Sequence, residues 1–310
     1  MEKNSKIYVA GHTGMVGSAI VRELHRQGYN NIITRTHKEL DLGDQAAVMH
    51  FFVEQQPEYV FLAAAKVGGI MDNWTAPADF LYNNMIIEMN VIHSAWTCGV
   101  KKLMFLGSSC IYPRMCPQPI KEEYLLTSSL EETNEGYALA KISGLKYCEY
   151  LKKQYGADFI SVMPTNLYGP NDNYHPVKSH VLPALIRRFH EAKIKNLSEV
   201  VCWGDGSALR EFMYVDDLAD LCVFLMNNYS GIETVNAGTG DEISIKDLAC
   251  LVAFVVGYKG EIIWDTSKPN GTPRKLLDVS KATSLGWRYK TGLKKGIELT
   301  YQDFLNNYKN

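Results

Sequence analysis

Lys6-Ile-Tyr-Val-Ala10-Gly11-His-Thr-Gly14-Met-Val-Gly17-Ser-Ala-Ile-Val-Arg-Glu-Leu24 decides the fold. The apolar run Lys6 to Ala10 predicts a strand, Gly11-x-x-Gly14-x-x-Gly17 a tight turn, and Ser18 to Leu24 the start of a helix. Glycines at such a turn let the backbone approach a pyrophosphate at the helix N-terminus, where free amide groups and the helix dipole favour anions. A GxxGxxG alone also suits a close-packed turn. Between a strand and a helix at the start of the chain it predicts a dinucleotide site.

Working outward, further strands are expected at Asn31 to Arg35, Tyr59 to Leu62, Lys102 to Leu106 and Phe159 to Met163. Helical stretches separate them, notably Asp79 to Gly99 and Tyr137 to Gln154. Strands alternating with helices imply an α/β fold, a Rossmann-type doubly wound parallel sheet. After Pro170 the alternation lapses. A helix is expected over Leu182 to Ala192, a short strand at Val200 to Trp203, and a helix opened by Phe212-Met-Tyr-Val-Asp216-Asp217 and running to about Tyr229. Thr234 to Ala237 reads as a strand returning to the first domain, and Ser244-Ile-Lys-Asp247 as a capping box. The expected division is residues 1–170 plus about 211–240 for the dinucleotide, and about 171–210 with 241–310 as a smaller, discontinuous C-terminal α/β substrate domain.

The chain has 310 residues, 46% hydrophobic content and a formal net charge of -2, and shows no basic run interleaved with aromatics. Nucleic acid is therefore not an expected partner. No apolar stretch is long enough to span a membrane, and the N-terminus enters its first strand too soon for a signal peptide, so a cytoplasmic location is expected. The seven cysteines are scattered without CxxC pairs, and the eight histidines show no paired ligand spacing. Reduced thiols and no metal site follow.

The chemistry is expected at Asn134-Glu-Gly-Tyr137-Ala-Leu-Ala-Lys141. Tyr137 and Lys141 share one helix face, so the ammonium is placed to stabilise the phenolate and lower a pKa of about 10. A tyrosine tuned in this way serves as a general acid. At the end of the second strand an acidic residue holds a ribose 2'-hydroxyl and a basic one a 2'-phosphate. Arg35, His37 and Lys38 precede Asp41 here, which favours NADP(H) over NAD.

Gly11-x-x-Gly14-x-x-Gly17, Ser108 after the fourth strand and Tyr137-x-x-x-Lys141, in that order, resemble the extended short-chain dehydrogenase/reductase family. Five further texts sharpen the resemblance: Ala63-Ala-Ala-Lys-Val-Gly-Gly69, Leu106-Gly-Ser-Ser-Cys-Ile-Tyr-Pro113, Met163-Pro-Thr-Asn-Leu-Tyr-Gly-Pro170, Ser179-His-Val181 and Gly271-Thr-Pro-Arg-Lys-Leu-Leu-Asp278. They are similar to members that act on GDP-linked 4-keto-6-deoxyhexoses, and the similarity runs over essentially the whole chain. The resemblance implies that Ser108 hydrogen-bonds the C4 ketone, Tyr137 protonates it, and Lys141 tunes Tyr137 and holds the nicotinamide ribose. It implies that Cys110 and His180 exchange protons at C3 and C5 while the ketone still acidifies those positions, so epimerisation precedes reduction.

For the cofactor the resemblance implies Thr13, Met15, Val16, Leu42, Ala63, Ala65, Pro164, Asn166, Leu167 and His180, beside the glycines, Arg35, His37 and Asp41. For the sugar nucleotide it implies Arg188 and Arg210 on the diphosphate, Trp203 as a stacking surface, and Asn270 and Lys275 near the sugar. Arg187 is read as structural. The resemblance also implies a homodimer built on the Asp79 to Gly99 and Tyr137 to Gln154 helices. This chain departs from the family pattern at Thr13 and His37, where arginine is frequent, leaving Arg35 as the main cation for a 2'-phosphate. It departs again at Gly136, where proline is common. A 4-reductase acting on another GDP-4-keto sugar, such as a heptose, keeps every one of these residues, and a non-catalytic NADP-binding protein is the reading from a different class.

Overall fold

The computed structural model describes residues 1–176, 178–268 and 272–307. The chain begins β1 (Ile7–Ala10), α1 (Met15–Arg26), β2 (Ile32–Ile33), α2 (Gln45–Gln55), β3 (Tyr59–Leu62), α3 (Ile70–Thr75), α4 (Pro77–Thr97) and β4 (Lys102–Leu106). It continues through α5 (Glu135–Tyr155), β5 (Phe159–Pro164), β6 (Asn166–Tyr168), α6 (Val181–Ile194), β7 (Glu199–Trp203), β8 (Leu209–Tyr214), α7 (Val215–Asn228) and β9 (Val235–Ala237). It ends with β10 (Glu242–Ser244), α8 (Ile245–Val256), β11 (Glu261–Asp265), β12 (Arg274–Lys275), α9 (Ser280–Ser284) and α10 (Leu293–Asn307).

Six strands form one sheet in the order β2-β1-β3-β4-β5-β9, every neighbour parallel. The chain leaves β1 on one side for β2 and returns across it to β3. The reversal opens a crevice at the carboxyl ends of β1 and β3, the place where such sheets take ligands. β4 and β5 are buried along their whole length, as strands covered on both faces must be. Ile20, Leu24, Leu218 and Leu221 from α1 and α7 fill one face, while Phe52, Val91, Leu145 and Leu151 from α2, α4 and α5 fill the other. Helix α4 starts with Pro77 at its first turn, where the missing N–H costs nothing, and α5 stops at Gly156, whose φ of 74° suits glycine.

A second layer builds around β8, which pairs with β10, β12 and β6. Strands from both sides of the divisions expected at residues 170 and 211 meet in it. Its helices α6, α8 and α10 bury Leu185, Phe189, Leu248, Val252, Ile297 and Phe304. Within β8, Glu211 is fully buried, and its carboxylate accepts backbone N–H bonds from Thr239 at 2.6 Å, Gly240 at 2.7 Å and Leu277 at 3.1 Å. One carboxylate thus ties the loop before β10 and the segment after β12 to β8.

Two local expectations are corrected. The second strand shrinks from Asn31–Arg35 to Ile32–Ile33, because only these two residues find partners, in Ile7 and Tyr8 of β1. Phe212-Met-Tyr214 belongs to β8 and does not open a helix; it pairs with Asn166-Leu-Tyr168, and α7 starts at Val215 with Asp216 and Asp217 in its first turn. Asn270 lies outside the described residues.

Candidate active site

The glycine-rich turn follows β1 directly. Gly11 has φ of 86°, and a Cβ there would lie 2.7 Å from the Ala64 nitrogen. A Cβ on Gly17 would lie 2.1 Å from the Gly11 carbonyl oxygen, so both positions require glycine for α1 to seat against the turn. Gly14 precedes α1 and supplies no side-chain cap, which leaves the first amides of the helix facing outward with Thr13 and Gly14 exposed beside them. This is a cradle for an anion such as a pyrophosphate. Met15 and Val16 are half-buried on the first turn of α1.

Along the same rim, the Arg35 guanidinium lies 5.6 Å from the Phe51 ring and donates to the Thr34 carbonyl at 2.8 Å. His37 is exposed, 3.7 Å from Asp41. Glu39, missed in the sequence, accepts from the Thr36 backbone N–H at 2.7 Å and from its hydroxyl at 2.8 Å, and these bonds hold its carboxyl below the usual carboxylate range. Asn90 donates to the Leu42 carbonyl at 2.9 Å, and Ala63 donates back to Ala10 at 3.0 Å. Asn84 fixes the loop after Ala65 by accepting from Lys66 N at 2.8 Å and donating to Lys66 O at 3.0 Å. Pro164 ends β5, and Asn166 and Leu167 open β6, with Asn166 donating to the Glu211 carbonyl at 2.8 Å.

The chemical residues converge where β4 meets α5. Ser108 follows β4 and its Oγ accepts from the Cys110 backbone N–H at 3.2 Å, capping a 3-10 turn over Ser109–Ile111. Tyr137, in the first turn of α5, lies near Ser108 and edge-on to Phe80 with ring centroids 6.5 Å apart. A Cβ on Gly136 would lie 2.6 Å from the Pro77 carbonyl oxygen, so glycine brings the start of α5 against the start of α4. Lys141 is buried. Its Nζ donates to the Leu106 carbonyl at 2.9 Å and pairs with Glu88 at 3.0 Å.

The tuning read from the Tyr137–Lys141 spacing is reversed in this structure. Burial, with the nearby Cys110 and Glu88, pushes the Tyr137 phenol well above its ordinary pKa, and the neighbouring Ser108 hydroxyl opposes this. The reason is geometric: the Lys141 ammonium, 5.9 Å from the Tyr137 ring centroid, is engaged by Glu88 and Leu106. Glu88 escaped the sequence reading. Its signal was a lone acid in the otherwise apolar or amide stripe Asn84, Glu88, Val91, Ile92, Ala95, all buried on one face of α4.

Lys275 joins this centre, its Nζ 3.6 Å from Cys110 Sγ. In the sheet, Lys275 is the register partner of Arg210, whose guanidinium is pulled below its ordinary pKa by burial. Arg188 and Trp203 sit further out. Arg188 donates to the Val201 carbonyl at 3.0 Å, and Trp203 is 60% exposed with Lys268 5.9 Å from its ring. Arg187 bonds Glu191 at 2.6 Å and the Tyr174 carbonyl at 2.9 Å, a structural role. His180 immediately precedes α6, solvent-accessible yet closely ringed by protein, which lowers its pKa through desolvation. The loop before it is held by Lys178, 3.5 Å from Asp72. Ser108, Cys110, Tyr137, Lys141 and Lys275 thus form one cluster, with Arg210 beside Lys275, while Arg188 and Trp203 form a separate outer face. All seven cysteines are free, and no cluster of three metal-ligating side chains occurs among the described residues. Among those residues no helix is long and apolar enough to cross a membrane.

The pattern of the NAD dependent epimerase/dehydratase family matches residues 7–238. GDP-L-fucose synthase 1 of Arabidopsis thaliana is 61% identical over 309 residues, covering 100% of this chain and 96% of that protein. Among solved structures, a GDP-L-fucose synthetase from Naegleria fowleri bound to NADP has a TM-score of 0.93 at 30% identity, covering 99% of this chain and 95% of its own. A GDP-6-OMe-4-keto-L-xylo-heptose reductase from C. jejuni has a TM-score of 0.92 at 40% identity, covering 99% of each chain.

Proposed function

The chain belongs to the NAD dependent epimerase/dehydratase family, and from that premise we propose that it makes GDP-L-fucose, reducing the C4 ketone of a GDP-4-keto-6-deoxyhexose with NADPH after inverting C3 and C5. The observation that carries the reading is the cluster of Ser108, Tyr137, Lys141 and Cys110 at the carboxyl end of β4, beside the glycine cradle. NADPH, when bound, supplies the hydride for the ketone. The uncapped N-terminus of α1 and the side-chain-free surface of Gly11 and Gly17 suit its pyrophosphate.

The remaining work falls to this chain's own groups. Ser108 donates a hydrogen bond to the ketone oxygen, and Tyr137 supplies the proton as negative charge grows on that oxygen. A phenol held protonated by burial is suited to donate. Cys110 and His180 serve as the acid and base of the two inversions. His180, its pKa lowered, is neutral at neutral pH and ready to accept a proton. Arg188 and Arg210 fit a diphosphate through the planar fork of the guanidinium, and Trp203 offers its exposed face to the base. We assign a homodimer to the α4–α5 surface, where Tyr82 is 67% and Tyr150 56% exposed. Free thiols support a cytoplasmic setting.

Incubation with GDP-4-keto-6-deoxymannose in deuterated water, with and without NADPH, tests the reading. Deuterium at C3 and C5 without NADPH, and a fucose product with it, are the expected results. Cys110→Ser is expected to lose most exchange and still reduce a pre-epimerised substrate. Turnover without exchange would sink the epimerase half and favour a heptose-type 4-reductase, the activity named for the C. jejuni relative.

A further inference from the structure

Glu88 is the one buried carboxylate in contact with the chemical cluster that the reaction as described leaves idle. It lies fully buried on α4, and its Oε1 pairs with the buried Lys141 ammonium at 3.0 Å. The niche that admits it is made by Gly144, one turn beyond Lys141 on the same face of α5. A Cβ on Gly144 would lie 2.7 Å from Glu88 Oε2 and 2.6 Å from the Phe105 ring. Lys141 Nζ in turn lies 4.8 Å from the Phe105 centroid. The Lys141 ammonium is thus held from two sides, by its hydrogen bond to the Leu106 carbonyl and by the charge of Glu88.

Burying this pair is expensive. Two charges leave water, and burial pushes the Glu88 carboxyl above its ordinary pKa even against the pull of Lys141. Neither Glu88 oxygen has a hydrogen-bond partner among the described residues; Oε1 meets Lys141 as an ion pair alone. A leucine or methionine at this position would fill the same space beneath α5 without that cost. The carboxylate is better explained by what it does to Lys141 than by the stability it adds.

We propose that Glu88 is the positioning residue of the reduction step, a buried counter-charge that holds the Lys141 ammonium in place at the end of β4 and sets the electrostatic field at Tyr137. The inference rests on the reading that Lys141 and Tyr137 serve ketone reduction. The charged and titratable groups facing this point are Glu88 from α4, Cys110 from the turn after β4, Lys275 from β12 beside Cys110, and Tyr137, Lys141 and Cys148 from α5; burial and Glu88 together also raise the Cys148 thiol. Because Glu88 helps keep the Tyr137 phenol protonated, removing its charge makes that proton easier to lose.

The test compares Glu88→Gln, Glu88→Asp, Gly144→Ala and Lys141→Met. Glu88→Gln is expected to lower kcat for NADPH-dependent reduction about tenfold or more, with KM for the GDP-sugar changed less than about twofold. Glu88→Asp keeps the charge and should recover most of the lost kcat. Gly144→Ala displaces the carboxylate without altering any charge and should shift kcat in the same direction as Glu88→Gln. A readout without cofactor is the melting temperature: Glu88→Gln lowers it, and adding Lys141→Met recovers most of the loss, because the penalty is an unpaired buried cation. A lower melting temperature with kcat and KM changed alike, or with no recovery of kcat in Glu88→Asp, would make Glu88 merely structural and overturn the proposal. Wild-type kcat in Glu88→Gln beside an inactive Lys141→Met would also overturn it. An active Lys141→Met would bring down the reading of Lys141 as well.

Discussion

The reduction centre and the outer nucleotide face are built in opposite ways. Ser108, Tyr137 and Lys141 sit on a strand end and the first turns of a long helix, with Lys141 and its partner Glu88 shut away from solvent. Arg188 and Trp203 lie on and beside β7, whose alternate residues Glu199, Val201 and Trp203 are exposed. The difference fits the role proposed for each. Proton transfer to a ketone oxygen requires hydrogen-bond geometry held within fractions of an ångström, and burial supplies it. Gripping a large charged nucleotide requires area and reachable donors, which an exposed strand and Arg188 provide.

If that contrast is right, single substitutions at the two places differ in kind. Tyr137→Phe is expected to lower kcat for reduction by about a thousandfold, with the circular dichroism melt close to wild type. A loss below tenfold would break the contrast at its strongest point. On the outer face, Trp203→Ala should raise KM for the GDP-sugar about tenfold and leave kcat within about twofold, consistent with the loss of one stacked base. A fall in kcat of similar size would mean that the outer face also governs the chemistry.

A third prediction concerns the segment between the two regions. Asp172 lies on the loop leading from β6 to α6, bordering a recess of about 330 Å³ that it shares with Thr13 and Asp303. Burial pushes its carboxyl up to about 7. Its folded pKa is above the unfolded value, so the native state holds the proton longer, and stability falls as pH rises from about 4 towards 7. Asp172→Asn removes that penalty and should stabilise the protein by roughly 1–2 kcal/mol at about pH 8, and by little at about pH 5. Urea melts at the two pH values check this, and equal gains at both would place the carboxyl in ordinary solvent. The smallest effect is expected at the exposed rim of the first sheet. Arg35→Ala should lower the preference for NADPH over NADH by roughly threefold to tenfold in kcat/KM, a cost of about 1 kcal/mol. An unchanged ratio would remove Arg35 from the 2'-phosphate role.

Much of this architecture is legible in the chain. Gly11, Gly14 and Gly17 announce their turn because the backbone there leaves no room for a Cβ, a constraint local enough to be written in residue type. The central strands and the helices α4 and α5 announce themselves through long apolar runs and periodic faces. The second layer did not, since β6, β10 and β12 are only two or three residues long and exist because β8 offers them a partner. Phe212 to Tyr214 reads equally well as the approach to a helix until Asn166 to Tyr168 pairs with it.

The active site divides along the same line. The sequence by itself determined which groups are available: a phenol and an ammonium one helical turn apart, a serine and a thiol after β4, and a glycine cradle before α1. These follow from short-range periodicity, which the order of residues fixes. Only the tertiary structure decided what surrounds them. It set Glu88 rather than the phenol against Lys141, brought Lys275 to Cys110 across 165 residues of chain, and raised the Tyr137 pKa that spacing alone predicted to fall. Burial and counter-charge are properties of the neighbours that folding assembles, and those neighbours lie far away in sequence.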